Sequence, residues 1–184
     1  MPRSAIKSTK KCRGELCIYI TCIKLQIINF FINLKPKNME TLSEITINYK
    51  PLFKLSDCPK VVTSKDAEKQ FRGLWSDKIQ YIEEMYILLL NRANKVLGFA
   101  KISIGGTTGT VVDTKVIFQT ALKANANSII LCHNHPSGNL QPSDADIKIT
   151  KNIKEAGKVL EIHLVDHIII TDEGYYSFAD EGMI

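Results

Sequence analysis

The chain has 184 residues, of which 45% are hydrophobic and 23% are charged, a composition typical of globular proteins. This composition excludes a collagen-like, a disulfide-dense and a mostly disordered chain. Residues 1–38 carry eight basic residues and one acidic residue, whereas residues 39–184 carry 16 basic and 18 acidic residues, so the formal charge of +5 belongs to the start of the chain. The rest is close to neutral and gives no support for nucleic-acid binding.

The first 38 residues differ in composition from the rest and predict a leader segment. Residues 16–34 form an apolar run after a basic stretch, as in a signal peptide or membrane anchor, but Lys24 interrupts the run and no small-residue cleavage site follows it. The change in composition at Met39 favours translation from that residue, with 1–38 disordered or not part of the mature protein. Membrane association therefore depends on whether 16–34 acts as an anchor.

The cysteines predict a reducing, cytoplasmic compartment. Cys12, Cys17 and Cys22 lie in the leader, and the other two are Cys58 and Cys132. The odd count and the absence of a CxxC pair argue against a disulfide framework, a zinc ribbon and a redox motif. Disulfides are rare in the cytosol, which agrees with this pattern.

A short extension at 39–63 precedes the predicted domain at 64–184. An edge strand is predicted over 44–55, limited by Pro51. Ser64 is the predicted N-cap of the first helix. The apolar stripe of this helix has helical spacing and consists of Ala67, Phe71, Leu74, Trp75, Ile79 and Ile82.

The remaining elements predict an α/β fold with one central sheet. Apolar segments at about 83–90 and 95–104, joined by a polar turn, predict a hairpin. Five further elements follow: a helix from its N-cap Asp113 to Ala124, a strand at 128–134, a helix from about Asp144 to Lys158 with Ile149, Ile153, Ala156 and Leu160 on one face, and two strands separated by a turn at Glu173-Gly174.

Most residues with catalytic or metal-binding chemistry lie in HNHPSGNLQPSDAD, at 133–146. His133 and His135 end an apolar strand, and alternate residues of a strand share a face, so the two imidazoles can converge while Asn134 faces away. The loop that follows can fold back and bring Asp146 beside them. Two imidazoles and one carboxylate leave the fourth tetrahedral position of a zinc site for water, as in a catalytic centre.

The same residues also permit a structural interpretation. The segment from Ser143 to Asp146 matches an S-x-x-D capping box, in which both side chains satisfy amides at the start of a helix. The histidines can be two hydrogen-bonded surface side chains. Ser143 can serve both purposes, because a cap fixes the hydroxyl that a catalytic role needs.

The spacing of His133, His135, Ser143 and Asp146 matches the JAMM signature of JAB/MPN-type metalloproteases: HxH, seven residues, Ser, two residues, Asp. The segments HNHPSGN, PSDAD, LVDHIII and GYYSF resemble the RadC family of that superfamily, from about residue 60 to the C-terminus. The resemblance implies a JAB/MPN, cytidine-deaminase-like fold, a mixed β-sheet flanked by helices. The chain is more similar to short RadC-like proteins found with mobile elements than to longer members, and we expect no helix-hairpin-helix region before residue 60.

The resemblance also implies a zinc-dependent hydrolase site with His133, His135 and Asp146 as ligands of Zn²⁺. Ser143 is the expected donor to an oxyanion. A glutamate at the start of the first hairpin strand is the expected general base. Glu83 and Glu84 must point to opposite faces of the strand, and the family pattern favours Glu83, with Glu84 as the alternative.

Other side chains near the motif are candidates to orient the imidazoles. They are Asn134, Ser137, Asp166 and His167. His163 and His167 share a strand face and are expected in the core or behind the ligands. Cys132 is predicted to be a small buried hydrophobic residue.

Together these features predict a JAMM-type metallopeptidase that cleaves a peptide or isopeptide bond of a protein or peptide with a metal-activated water. The alternative is a non-catalytic MPN-type interaction or scaffold protein associated with DNA repair or mobile elements. A nucleobase deaminase is disfavoured, because H-x-E with P-C-x-x-C is absent. A metal-dependent nuclease is disfavoured by the near-neutral domain. The sequence specifies neither the substrate nor the oligomeric state.

Overall fold

A computed structural model of the chain describes residues 46, 50, 52–75, 77–105 and 112–184. Almost all of them belong to a unit that spans Ile47–Ile184. The predicted leader, the predicted start at Met39 and most of the predicted edge strand lie outside the described residues. Within that strand prediction, residues 52–55 form bends and the start of a turn. No helix among the described residues is long and apolar enough to cross a membrane.

One mixed sheet organises the described elements. They are, in chain order, α1 (Ser64–Arg72), a 3₁₀ helix (Asp77–Gln80), β1 (Glu84–Leu90), β2 (Val96–Ile104), α2 (Thr114–Lys123), β3 (Ser128–Asn134), α3 (Asp144–Leu160), β4 (His163–Ile170) and β5 (Tyr175–Ser177). The strand order is β2-β1-β3-β4-β5. β3 and β4 pair in parallel, and all other neighbours pair antiparallel. The predicted α/β class with a mixed sheet is confirmed.

The two central strands are continuous apolar runs because both of their faces are covered. Every residue of β1 and β3 is buried. One face packs against α2 and α3 through Ile117 and Ile153. The other face packs against α1 through Phe71. The predicted metal ligand His133 therefore lies on a strand that is enclosed on both faces.

The first helix differs from the prediction at its start. Its N-cap is Thr63, whose hydroxyl accepts a hydrogen bond from the Asp66 amide while the Asp66 carboxylate bonds back to the cap, forming a capping box. Ser64, the predicted cap, donates instead to Asp180 over 2.6 Å. Two adjacent hydroxyl residues were available, and the one with a carboxylate three residues ahead is the cap.

The first helix also ends earlier than its apolar stripe. It stops at Arg72, before Gly73, a residue that disfavours helix. Ala67 and Phe71 are buried as predicted. Leu74, Trp75 and Ile79 pack against the same cluster from outside the helix. The apolar spacing therefore indicated burial rather than an unbroken helix.

The hairpin, the second helix and the last two strands are found where they were predicted, within a few residues. The third helix is longer than predicted, and Leu160, expected on its buried face, is 41% exposed. The buried position of that last turn is Gly157, where an added Cβ would lie 2.3 Å from the carbonyl oxygen of Ile162. In its last turn the helix thus packs through Gly157, and Leu160 lies on the surface.

Candidate metal centre

The end of β3 holds the two imidazoles on one face of the sheet. His133 is buried within the strand, and His135 follows directly after it, where its amide donates to the Ile170 carbonyl over 3.0 Å. This bond continues the pairing with β4 and keeps the strand alternation through His135. The Nε2 atoms of the two rings are 3.0 Å apart.

Asp146 faces both rings from the first turn of α3. Its Oδ1 is 3.1 Å from Nε2 of His133, and its Oδ2 is 3.6 Å from Nε2 of His135. The three residues each offer a ligand atom, and these atoms all lie within 4.8 Å of one another. The group can therefore hold a metal ion.

The capping box is formed as well. The amide and the hydroxyl of Ser143 donate to Oδ2 of Asp146 over 2.7 and 2.6 Å, and the Ser143 hydroxyl accepts from the Asp146 amide over 3.2 Å. The structural and metal-binding interpretations are thus compatible. The cap fixes the carboxylate that faces the imidazoles.

The electrostatics favour positive charge at this point. Burial raises the pKa of Asp146, but hydrogen bonds from His133 and His135 outweigh it and hold that pKa well below its ordinary value. The hydrogen bond to Asp146 raises the pKa of His135 above 6.5 against the effect of burial. An ionised carboxylate and an easily protonated imidazole attract a cation, either a proton or a metal ion.

The hydrogen bond behind His135 sets its tautomer. Its Nδ1 is 2.6 Å from the backbone carbonyl oxygen of Asn139. A carbonyl can only accept, so Nδ1 carries the proton and the neutral ring keeps a lone pair at Nε2. That lone pair is directed toward Asp146 and His133, where a metal would bind.

A second buried histidine lies behind His133. Nδ1 of His133 is 2.9 Å from Nε2 of His167, and Nδ1 of His167 is 2.6 Å from the hydroxyl of Thr150. His167 is stacked on Phe178, with ring centroids 4.8 Å apart. Burial holds the pKa of His167 well below its ordinary value. His167, one of the predicted orienting residues, contacts a ligand directly.

Asn134, predicted to orient an imidazole, makes its side-chain hydrogen bonds to the segment that leads into β1. Its amide donates to the carbonyls of Ile79 and Ile82, both over 2.8 Å, and its Oδ1 accepts from the Glu84 amide over 2.7 Å. Asn134 therefore fixes the segment that leads into β1 rather than an imidazole. Through that segment it positions the two candidate glutamates.

Two predicted orienting residues make their hydrogen bonds elsewhere. Ser137 accepts from the Asn139 amide over 3.4 Å within its own loop. Asp166 lies opposite Ile130, on the other face of the sheet, and accepts from Ser177 over 2.6 Å. The prediction that Asp166 orients the rings is corrected, because strand alternation directs its side chain to the other face. Ser137 lines the same cleft as His135, and its orienting role stays a prediction.

His163 and Cys132 lie outside the group of three. His163, expected in the core or behind the ligands, is exposed at the opposite end of β4 from the carboxyl end where the ligands meet. Cys132 is buried in the cluster beneath α1, and burial raises the pKa of its thiol. A protonated, enclosed thiol is unreactive, as expected of a small hydrophobic residue.

The strand register separates the two candidate glutamates. Met85 lies opposite His133, so strand alternation places Glu83, two residues earlier, on the face of the imidazoles. The negative charge of Glu83 contributes to the raised pKa of His135. Glu83 is thus the glutamate on the side of the candidate metal group.

Glu84 is buried on the opposite face and has its own partners. Its Oε1 is 2.9 Å from Nζ of Lys101, and its Oε2 accepts from the Tyr86 hydroxyl over 3.2 Å. The Glu84 carboxylate is therefore engaged in an ion pair and a hydrogen bond. Glu84 therefore stabilises the hairpin rather than facing the ligands.

A cleft of about 390 Å³ opens beside His135. It lies within the size range of small-molecule and side-chain binding sites. Its lining consists of Ile79, Gln80, His135, Pro136, Ser137, Gly138, Thr171, Asp172 and Glu173. The exposed edge of the candidate centre is thus next to a space that a substrate can enter.

Two contributors to the site were missed in the sequence. Thr150 follows Asp146 by four residues, which places both on one face of α3, and this spacing was an available signal. The carbonyl of Asn139 had no signal, because every residue has a backbone carbonyl. A sequence pattern identifies side chains, whereas a loop conformation selects which carbonyl is used.

Residues 61–183 match the family model of the RadC-like JAB domain. The chain belongs to this family. A UPF0758 protein of Flavobacterium johnsoniae is 47% identical over 124 residues, which cover 67% of this chain and 53% of that protein. A UPF0758 protein of Porphyromonas gingivalis is 45% identical over 103 residues, covering 55% and 45% of the two chains. A UPF0758 protein of Chlorobaculum parvum is 34% identical over 125 residues, covering 68% and 55%.

The RadC-like JAB assignment confirms the predicted family and fold. The chain spans about half the length of the curated relatives it matches. The name UPF0758 carries no activity.

Proposed function

We propose that the RadC-like domain of this chain is a zinc-dependent hydrolase of the JAMM metallopeptidase type, cleaving an amide bond of a protein or peptide. The observation that supports it most is the approach of three ligand atoms, from His133, His135 and Asp146, to within 4.8 Å of one another. Two imidazole nitrogens and one carboxylate oxygen are a common ligand set of catalytic zinc. Three protein ligands leave the fourth position for water.

The donor chemistry fits a divalent cation. Asp146 is ionised, and the neutral His135 ring directs a lone pair toward His133, whose Nε2 is 3.0 Å away. When both Nε2 atoms are unprotonated, they and the anionic carboxylate repel one another unless a cation, either a proton or a metal ion, lies between them. Zn²⁺ bound by these residues would lower the pKa of a water molecule to about 7 and polarise a substrate carbonyl.

Glu83 is the proposed general base. It lies on the face of the imidazoles and is partly exposed, so it can reach a water molecule. It takes a proton from the attacking water and returns it to the nitrogen of the cleaved amide. Asn134, which bonds the amide of the next residue, holds this segment in place.

Ser143 is the proposed donor to the substrate oxyanion. In the structure its hydroxyl donates to Asp146 over 2.6 Å, so the hydroxyl must rotate toward the substrate to fulfil this role. A positioned donor of this kind stabilises an oxyanion by about 3 kcal/mol in well-studied hydrolases. The cleft beside His135 is the proposed entrance for the substrate.

A non-catalytic scaffold role is the second candidate. The complete capping box of Ser143 and Asp146 accounts for both residues without catalysis. A scaffold of this type would bind no stoichiometric zinc. Metal content therefore separates the two candidates before any substrate is known.

The hydrolase proposal is tested with Glu83→Gln and its neighbour Glu84→Gln. Both variants are loaded with Zn²⁺ and assayed against a fluorogenic peptide library that contains isopeptide-linked members. Glu83→Gln should keep the metal and lose hydrolysis by a factor of about 100 or more, because the proton acceptor is removed. Glu84→Gln should remain active, although the loss of its ion pair with Lys101 lowers stability.

Either of two results would contradict the assignment of Glu83 as the general base. Full hydrolysis by Glu83→Gln, or loss only in Glu84→Gln, would overturn the assigned base. If zinc-loaded wild-type protein cleaves no library member, the inactive Glu83→Gln protein is used in a trapping pull-down from cell extract. Capture of a partner that wild-type protein releases in cleaved form would identify the substrate class, and capture without cleavage would favour the scaffold.

A further inference from the structure

We infer that Thr150 and His167 are positioning residues that fix His133 in the tautomer whose Nε2 binds a metal. Neither residue is one of the three ligands. The inference rests on the metal site of the proposed function and deepens it, because it identifies what makes one ligand competent.

The proton positions can be followed from a backbone carbonyl. The Thr150 hydroxyl oxygen is 2.6 Å from the carbonyl oxygen of Asp146, one turn earlier in α3. Two oxygens this close need a proton between them, and the hydroxyl is its source because a carbonyl can only accept. The same hydroxyl oxygen is 2.6 Å from Nδ1 of His167. The hydroxyl proton is already used, so Nδ1 of His167 must donate.

His167 in turn contacts His133, one of the proposed metal ligands. His167 is fully buried, with its ring stacked on Phe178, and a buried imidazole in such surroundings is neutral. A neutral ring has one proton, so Nε2 of His167 is an acceptor. It lies 2.9 Å from Nδ1 of His133, which must donate to it. In its neutral form, the form that binds a metal, His133 therefore keeps its lone pair on Nε2, the atom 3.1 Å from Oδ1 of Asp146.

Both ends of this arrangement lie on one residue. The carbonyl of Asp146 orients Thr150, and the carboxylate of Asp146 meets the Nε2 that this orientation leaves unprotonated. Metal-binding histidines usually donate to a carbonyl, a carboxylate or water, and each of these can accept a hydrogen bond whatever the proton positions around it. Here the acceptor is an imidazole, whose own proton has to be held on the far nitrogen. Thr150 supplies that constraint.

The inference is tested by comparing Thr150→Val with Thr150→Ser in the full chain. Valine has nearly the shape of threonine but no hydroxyl, whereas serine keeps it. Without the hydroxyl, the His167 proton is free to move to Nε2, which drives the His133 proton onto the metal-binding nitrogen. We expect the affinity for Zn²⁺ and Co²⁺, measured by chelator competition, to fall about 10-fold or more in Thr150→Val and to stay at the wild-type value in Thr150→Ser.

A direct readout of the protons accompanies the affinities. Nitrogen-15 NMR of the histidine side chains should show His167 protonated at Nδ1 in wild type and Thr150→Ser, and at Nε2 in Thr150→Val. A purely structural role for Thr150 would lower the melting temperature without moving this proton. The wild-type spectrum tests the inference even if Thr150→Val does not fold.

The possible results distinguish a failure of this inference from a failure of the proposed function. A wild-type chain with His167 protonated at Nε2 overturns the inference. So does Thr150→Val protein that binds Zn²⁺ as tightly as wild type. A wild-type chain that binds neither Zn²⁺ nor Co²⁺ instead contradicts the proposed function.

Discussion

Replacing Asp146 by asparagine separates metal binding from helix capping. The Asp146 carboxylate accepts from the amide and hydroxyl of Ser143 and also faces the two imidazoles. The carbonyl oxygen of an asparagine can still accept the bonds from Ser143, so the start of α3 should keep its cap. The asparagine cannot supply the charge or a strong metal bond.

The size of the effect follows from these contacts. Loss of a residue that only orients a ligand weakens metal binding about 10- to 100-fold, so loss of an anionic ligand should weaken it by more than about 100-fold. This corresponds to more than about 2.8 kcal/mol of binding free energy. The free energy of unfolding of the metal-free protein should change by only about 1 kcal/mol, because the capping bonds persist.

The assay is chelator competition for Zn²⁺ at a pH near 8, together with urea unfolding of the metal-free protein. Asp144→Asn is the matched control, since it removes the same charge from an exposed position in the same helical turn. The control should bind Zn²⁺ like wild type. Asp146→Asn protein that binds within about threefold of wild type, a difference of about 0.6 kcal/mol, would refute the ligand assignment, as would an equal loss in both variants.

Three further predictions concern protons and packing. The affinity for Zn²⁺ should fall as the pH decreases through the raised pKa of His135, because the proton and the metal compete for Nε2; a constant affinity from about pH 5 to 9 would contradict this. In the metal-free protein, the raised pKa of His135 adds stability below about pH 6.5, and this stability is lost as the pH rises through that pKa. It is measured by urea unfolding as the difference in the free energy of unfolding between wild type and Asp146→Asn. Gly157→Ala should lower the free energy of unfolding by about 1–3 kcal/mol, because its Cβ would lie 2.3 Å from the Ile162 carbonyl oxygen. In the control Gly98→Ala, the added Cβ meets nothing within 4 Å. Equal urea midpoints for the two variants would refute the close approach.

The part of the site that could be predicted depends on local rules. Alternation along a strand placed His133 and His135 on one face, and the S-x-x-D pattern placed Asp146 in the first helical turn. These rules act over a few residues and need no knowledge of the rest of the fold. The strand, the loop and the start of α3 were therefore accessible from sequence.

The part that could not be predicted depends on contacts between distant segments. The pairing of β1 with β3 decides which glutamate faces the imidazoles, and sequence alone left Glu83 and Glu84 open. Likewise His167 meets His133 only because β4 lies parallel to β3. Asp166 was misplaced for the same reason, since its face is set by that pairing.

Helix ends were the least predictable elements. Thr63 and Ser64 are both good caps, and the contact with Asp66 decides between them. At the end of α3 the backbone approaches closely at Gly157 and Leu160 is exposed, an arrangement that apolar spacing does not contain. In both cases packing overrides a local preference.

The most direct measurement is an anomalous difference map at the zinc absorption edge, from crystals of the wild-type chain loaded with Zn²⁺. The proposal predicts a peak within about 2.0–2.2 Å of Nε2 of His133, Nε2 of His135 and a carboxylate oxygen of Asp146. The absence of a peak at that point, or a zinc ion bound only elsewhere, would contradict the hydrolase account.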